Sequence, residues 1–176
     1  APRRDGREVP FASPQKLAVT IEVPHGGKLR GMGIPAGVTV VVGGGFHGKS
    51  TLLDAIAAGV HPRRPGDGRE RVASLRGTVA VRSEDGRAVR RVDVSGFLSE
   101  FPSGERAADF STERASCSTS LAASIAESLE AGARVLLLDE DTCATNFMIR
   151  DGRMQRLVPR TQEPIVPFLD RVREIG

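Results

Sequence analysis

The chain has 176 residues, of which 39% are hydrophobic and 27% are charged, and its formal net charge is +3. Such values are typical of a globular domain with one sizeable core. No apolar run is long enough to span a bilayer, and no signal-peptide pattern opens the chain, so we expect no membrane partner. Two cysteines make no disulfide framework, which favours a cytoplasmic location.

The N-terminal part of the chain predicts an arm followed by strands. Residues 1–15 are rich in Pro, Arg and Ser without periodicity, which indicates a linker entering a domain over residues 16–176. Alternating apolar and polar residues in Leu17–Val23 predict an edge strand. The continuously apolar run Val38–Val42 predicts a strand covered on both faces, as in a central parallel sheet.

A glycine-rich loop comes next, and it fits the phosphate-binding pattern G-x-x-x-x-G-K-[ST] between a predicted strand and a helix-like run. Glycines let successive backbone N–H groups point at an anion, and the helix N-terminus adds its positive end. We expect Lys49 to contact the β and γ phosphates of ATP and the Ser50 hydroxyl to bind Mg²⁺. The expected nucleotide-binding residues are Gly43, Gly44, Gly45, Phe46, His47, Gly48, Lys49, Ser50 and Thr51.

The middle of the chain is rich in turn signals. Gly77–Arg82 and Ala88–Val94 flank an Asp-Gly step, which predicts a β-hairpin inserted beside the main sheet. A basic cluster precedes it, and its arginines fit either a solvated loop or a contact with phosphates or nucleic acid. The cluster consists of Arg63, Arg64, Arg69 and Arg71.

A helix and a strand follow, and the strand ends in two acids. Apolar residues at four-residue spacing predict a helix over Ser118–Glu130, with Gly132 ending it. The apolar run Arg134–Leu138 predicts a second buried strand, and Asp139 and Glu140 come directly after it. Acids at this position either cap the strand end or serve a nucleotide site. In the second case Asp139 holds Mg²⁺ through water, and Glu140 acts as the general base on an attacking water.

The start of that helix carries a resemblance to a known family. Ala115–Thr119 lies twenty-four residues before Asp139 and resembles the L-S-G-G-Q signature loop of ATP-binding cassette ATPases. The strand that ends in Asp139 and Glu140 has the family's Walker B pattern, and the run Asp141–Asn146 is similar to the segment that follows this pattern in the family. Departures from the family's pattern are Cys117, Thr119, Asp141 and Asn146. Two longer segments are similar to the sequences of predicted ABC-class ATPases: GMGIPAGVTVVVGGGFHGKSTLL and DEDT-ATNFMIRDGRMQ. The similarity covers roughly residues 10–175.

The resemblance implies an α/β P-loop core with a mainly parallel sheet, flanking helices and an antiparallel β insert. It implies that Ser116 and Ser118 hold the nucleotide of a second copy, so that the ATP-bound form is a homodimer hydrolysing MgATP. Family members normally have a further strand and a switch His beyond the Walker B acids. This chain stops at Gly176, so we expect the core to be C-terminally incomplete.

Two other functions are compatible with the sequence. A P-loop kinase would use the same phosphate loop with a small-molecule acceptor and without a dimer. A nucleotide-gated module that binds RNA or DNA would use the excess of 25 basic over 22 acidic residues.

Overall fold

A computed structural model describes residues 9–99, 101, 104–159 and 162–175. The chain divides into two compact units, with the boundary between Val42 and Gly43. Residues 1–8 of the predicted arm lie outside the described part, and residues 9–14 contain neither helix nor strand. A 3-10 turn, Gln15–Leu17, leads into the first strand.

The first unit is built on a β-hairpin. Strands β1 (Ala18–Val23) and β2 (Gly27–Met32) pair antiparallel, from Ala18 opposite Met32 to Val23 opposite Gly27. In the turn, His25 and Gly27 adopt left-handed backbone at φ 61° and 66°. The strand predicted at Leu17–Val23 is confirmed with a start one residue later. Its partner β2 was not predicted, although the Pro-His-Gly-Gly sequence before it is a turn signal.

The strand predicted at Val38–Val42 is wrong. This segment has no strand conformation, and the side chains of Val38, Val40 and Val42 are 57%, 75% and 85% exposed. Within the described residues no strand pairs with it. Apolar composition alone does not make a strand, because the backbone N–H and C=O groups need hydrogen-bonding partners on a neighbouring strand.

The second unit contains the parallel sheet, limited to one pair of strands among the described residues. Helix α1 (Lys49–Ala58) is followed by β3 (Thr78–Val81), which pairs in parallel with β6 (Val135–Leu138). The register places Val81 opposite Leu138, so both strands end at the same edge. This pair confirms the α/β class, and β6 is half-buried rather than fully covered.

The hairpin predicted across the Asp-Gly step is also wrong. Gly86 does form a turn at φ 78°, but β4 (Val89–Val92) pairs antiparallel with β5 (Phe110–Thr112) instead of with β3. Gly86 N–H donates to the Ala115 carbonyl at 2.7 Å, and Ala115 N–H donates to the Arg87 carbonyl at 2.8 Å. The backbone after the turn is therefore paired with the segment before the next helix.

Helix α2 (Cys117–Glu130) confirms the predicted helix with one further residue at its start. Gly132 follows it at φ 83°, as its predicted role in ending the helix requires. Leu121 and Ile125 are fully buried, whereas Leu129 is 40% exposed. One face of α2 therefore forms the centre of the core.

The C-terminal part contains three short helices, α3 (Thr145–Met148), α4 (Gly152–Leu157) and α5 (Phe168–Ile175), of which α3 and α5 pack against this core. The rings of Phe97, Phe147 and Phe168 pack together with centroids 5.4 to 6.5 Å apart, and Phe168 stacks on both of the others. An ion pair between Arg150 and Glu163, both nearly buried, joins the segments before α4 and α5. No helix in the described ranges is long and apolar enough to cross a membrane.

Candidate functional site

The glycine-rich loop before α1 folds around its own histidine. Phe46 and Gly48 adopt left-handed backbone at φ 60° and 84°, and the Phe46 ring is fully exposed. Gly44 N–H donates to His47 Nδ1 at 3.3 Å, and His47 N–H donates to the Gly44 carbonyl at 3.4 Å. A Cβ at Gly44 would lie 3.3 Å from His47 Cε1, so the ring leaves little room for a larger residue there.

Helix α1 begins without a side-chain cap. Gly48 at the N-cap position has no side chain, and the first helical hydrogen bond runs from Leu52 N–H to the Gly48 carbonyl at 2.9 Å. The N–H groups of Lys49, Ser50 and Thr51 therefore precede the helical hydrogen bonds. A row of such groups at the positive end of a ten-residue helix fits an anionic ligand such as a phosphate.

Lys49 lies at the centre of this loop. Its ammonium donates to the carbonyls of Gly43 at 2.9 Å and Gly44 at 3.2 Å, and it lies 3.4 Å from Glu140 Oε1. Only 16% of the Lys49 side chain is exposed, against 73% of the Glu140 side chain. The fold thus brings together the two residues predicted to be catalytic, although ninety-one positions separate them along the chain.

The predicted Mg²⁺ ligands offer oxygen atoms that have no partner among the residues that the structure describes. The Ser50 hydroxyl lies in the exposed first turn of α1, and Asp139 follows the last residue of β6. Among the described residues, neither side chain has a hydrogen bond or an ion pair. Hydroxyl and carboxylate oxygens suit Mg²⁺, which keeps several waters and phosphate oxygens as its other ligands. The described part of the chain contains no cluster of three His, Cys, Asp or Glu that would form a metal site by itself.

The two serines predicted to act on a partner's nucleotide lie at the start of α2. Ser116 is the N-cap, and its Oγ accepts from Thr119 N–H at 3.3 Å. Ser118 is only 6% exposed, and its hydroxyl donates to Asn146 Oδ1 at 2.8 Å. The structure thus joins these serines to Thr119 and Asn146. Asn146 was predicted only as a departure at the family's acidic position, and its hydrogen bond with Ser118 was not predicted.

A cavity of about 370 Å³ lies beside the carboxyl ends of β3 and β6 and reaches the start of α2. Both cysteines line it, and neither forms a disulfide. Burial raises the pKa of the Cys143 thiol, which lies 3.9 Å from the Val81 carbonyl. The lining residues are Arg82, Ser83, Cys117, Asp141, Thr142, Cys143 and Ala144.

Two of the four clustered arginines make contacts within the chain. Arg63 donates to the Ala58 carbonyl at 2.8 Å, where its charge also suits the negative C-terminal end of α1. Arg69 Nε lies 2.6 Å from Asp67 Oδ1, and this hydrogen bond lowers the pKa of the Asp67 carboxyl. These contacts favour the solvated-loop interpretation for Arg63 and Arg69.

Comparison with known proteins gives a family match over the whole chain. Residues 1–176 match the family described as the ABC ATPase P-loop domain. The chain is also 29% identical over 144 residues to an uncharacterized protein of the archaeon Methanocaldococcus jannaschii. That similarity covers 80% of this chain and 32% of the archaeal protein. The chain therefore spans about a third of the length of this curated relative.

Proposed function

The chain belongs to the ABC ATPase P-loop domain family, and we propose that it binds MgATP at the loop before α1 and hydrolyses it. One observation carries this proposal. The glycine loop leads into the uncapped start of α1, the ammonium of Lys49 donates to the Gly43 and Gly44 carbonyls of this loop, and Glu140, two residues after β6, lies 3.4 Å from that ammonium. Such a site collects the positive partial charges that a polyphosphate needs.

Each residue has a role that follows from its position. The N–H groups from Gly45 to Thr51 surround the phosphates, and Lys49 contacts the β and γ phosphates as a point charge. Ser50, and Asp139 through water, would hold Mg²⁺, and the ion would neutralise part of the phosphate charge. Glu140 orients the attacking water and accepts its proton.

We further propose that the start of α2 acts on the nucleotide of a second copy in a homodimer. Ser116 and Cys117 are exposed at the beginning of a 14-residue helix, whereas Ser118 is buried. The exposed Ser116 hydroxyl and the first backbone N–H groups would contact the partner's γ phosphate. Ser118 then acts indirectly, because its hydrogen bond to Asn146 fixes the helix start relative to the segment after Glu140.

Light scattering with variants tests this function. Glu140→Gln keeps the shape of the side chain but removes the base, so it should form a dimer that persists with ATP and should hydrolyse ATP far more slowly. Lys49→Ala, the matched control at the same site, should bind nucleotide far more weakly and stay monomeric. Unchanged ATP hydrolysis by Glu140→Gln would contradict the assignment of the base. A nucleotide-bound monomer with acceptor-dependent ADP formation would instead favour a kinase.

A further inference from the structure

The contacts of Lys49 carry an inference that rests on the proposed function and concerns its regulation. We propose that the Glu140 carboxylate competes with phosphate for Lys49. Without nucleotide the carboxylate pairs with the Lys49 ammonium, and a bound nucleotide displaces the carboxylate. Glu140 would thus have two successive positions, one on Lys49 and one at the attacking water.

The donors of Lys49 limit what it can bind at one time. An ammonium has three N–H groups, of which two donate to the carbonyls of Gly43 and Gly44, and the carboxylate of Glu140 is its ion-pair partner at 3.4 Å. A phosphate oxygen that approaches the ammonium therefore competes with the Glu140 carboxylate for the charge that the two carbonyls leave available. Glu140 is the acceptor that can leave most easily, because it lies on a side chain that is 73% exposed.

The surrounding charges favour a carboxylate at this position. The ammonium and the uncapped start of α1 both attract an anion, so Glu140 occupies a point suited to phosphate charge. The attraction is moderate, because the carboxylate faces solvent and its contact with Lys49 is 3.4 Å long. A contact of this strength competes with anions that bind weakly, but a polyphosphate that makes several hydrogen bonds replaces it.

The neighbouring acids allow two effects of Glu140 to be separated: its contact with Lys49, and the general repulsion between acidic side chains and a phosphate. Asp139, Glu140 and Asp141 are consecutive, yet among the described residues only Glu140 pairs with Lys49. Asp141 instead lines the cavity beside the start of α2. Asp141→Asn therefore removes the same charge nearby without removing the contact, which makes it a matched control.

The first measurement tests the contact between Glu140 and Lys49 in the absence of nucleotide. The sequence contains three lysines, Lys16, Lys28 and Lys49, so acetylation by an N-hydroxysuccinimide ester can be quantified at each by mass spectrometry. We expect Glu140→Gln and Glu140→Asp to raise the acetylation rate of Lys49 by about threefold or more, because Gln has no charge and the shorter side chain of Asp moves the carboxylate away from the ammonium. Lys16 and Lys28 should be unchanged, and Asp141→Asn should behave like the parent chain.

The second measurement is ADP affinity by calorimetry, since ADP binding is independent of hydrolysis. Glu140→Gln should bind ADP roughly three- to tenfold more tightly than the parent chain, and Asp141→Asn less than about twofold. Equal acetylation of Lys49 in all chains, or equal ADP affinities of Glu140→Gln and Asp141→Asn, would overturn the competition. Absence of ADP binding in every chain would overturn the proposed function, while the acetylation rates would still decide whether Glu140 holds Lys49.

Discussion

The beginnings of helices α1 and α2 solve the same physical problem in opposite ways. Each helix start has backbone N–H groups without helical partners. At α2 the chain satisfies one of them itself, because Ser116 Oγ accepts from Thr119 N–H. At α1 the N-cap is Gly48, which offers no side-chain acceptor. The difference shows that the start of α1 leaves all its free N–H groups to an external anion, whereas the start of α2 offers an anion only the groups that Ser116 does not cap.

The two helices also differ in how they are anchored. Helix α2 buries Leu121, Ile125 and several smaller residues, whereas no residue of α1 is fully buried. A rigid α2 suits a surface that must keep its shape for a partner. A less buried α1 suits a loop and helix that adjust around a ligand. Stability and binding should therefore respond to opposite sets of substitutions.

Lys49→Ala should give the largest effect on binding. It removes the charged donor at the start of α1, and loss of two charged hydrogen bonds corresponds to about 3 to 4 kcal/mol, or a few hundredfold in ATP affinity. Calorimetry with ATP measures it, with Lys28→Ala in β2 as the control that should bind like the parent chain. Retained ATP affinity in Lys49→Ala would show that the uncapped helix start does not use this lysine.

Ile125→Ala should give the largest loss of stability. Ile125 is fully buried in α2, so its truncation should lower the free energy of unfolding by about 3 kcal/mol. Ile56→Ala in the half-buried α1 should lower it by about 1 to 2 kcal/mol. Urea denaturation of both variants measures the contrast. Equal losses at the two positions would mean that α1 is anchored as firmly as α2.

The two cysteines should differ in reactivity by at least about tenfold, which corresponds to an opening free energy of about 1.4 kcal/mol. Cys117 is exposed as the first residue of α2, whereas Cys143 is 8% exposed and burial raises the pKa of its thiol. Since the thiolate reacts, iodoacetamide should modify Cys117 first. Mass spectrometry follows both sites, and Cys143 should react quickly only in denaturant. Rapid early labelling of Cys143 would contradict its burial behind the helix start.

Substitutions of the serines at the two helix starts should give the smallest difference in the free energy of unfolding. Ser116→Ala removes the cap of α2 and should lower the free energy of unfolding by about 1 kcal/mol. Ser50→Ala in the first turn of α1 removes no hydrogen bond between described residues, so stability should change by less than about 0.5 kcal/mol. The same Ser50→Ala variant should weaken the Mg²⁺ dependence of ATP binding. A stability loss in Ser50→Ala equal to that in Ser116→Ala would contradict the contrast between an uncapped start of α1 and a capped start of α2.

Much of the second unit could be predicted from local patterns. The spacing of Leu121 and Ile125 predicted α2, and the apolar run before Asp139 predicted β6. The strand predicted at Val38–Val42 failed because pairing depends on residues far away in the chain. The predicted hairpin failed for a related reason, since Gly86 pairs with Ala115 instead of closing the turn onto β3.

The sequence by itself determined the candidate site's chemistry: a glycine loop, a lysine, a hydroxyl and two acids after an apolar strand, because these are local patterns whose spacing is fixed by the chain. Tertiary structure alone decided which of these groups meet. It placed Glu140 on Lys49 and tied Ser118 to Asn146. Contacts between residues distant in sequence depend on how strands and helices pack, and no local pattern of the sequence encodes that packing.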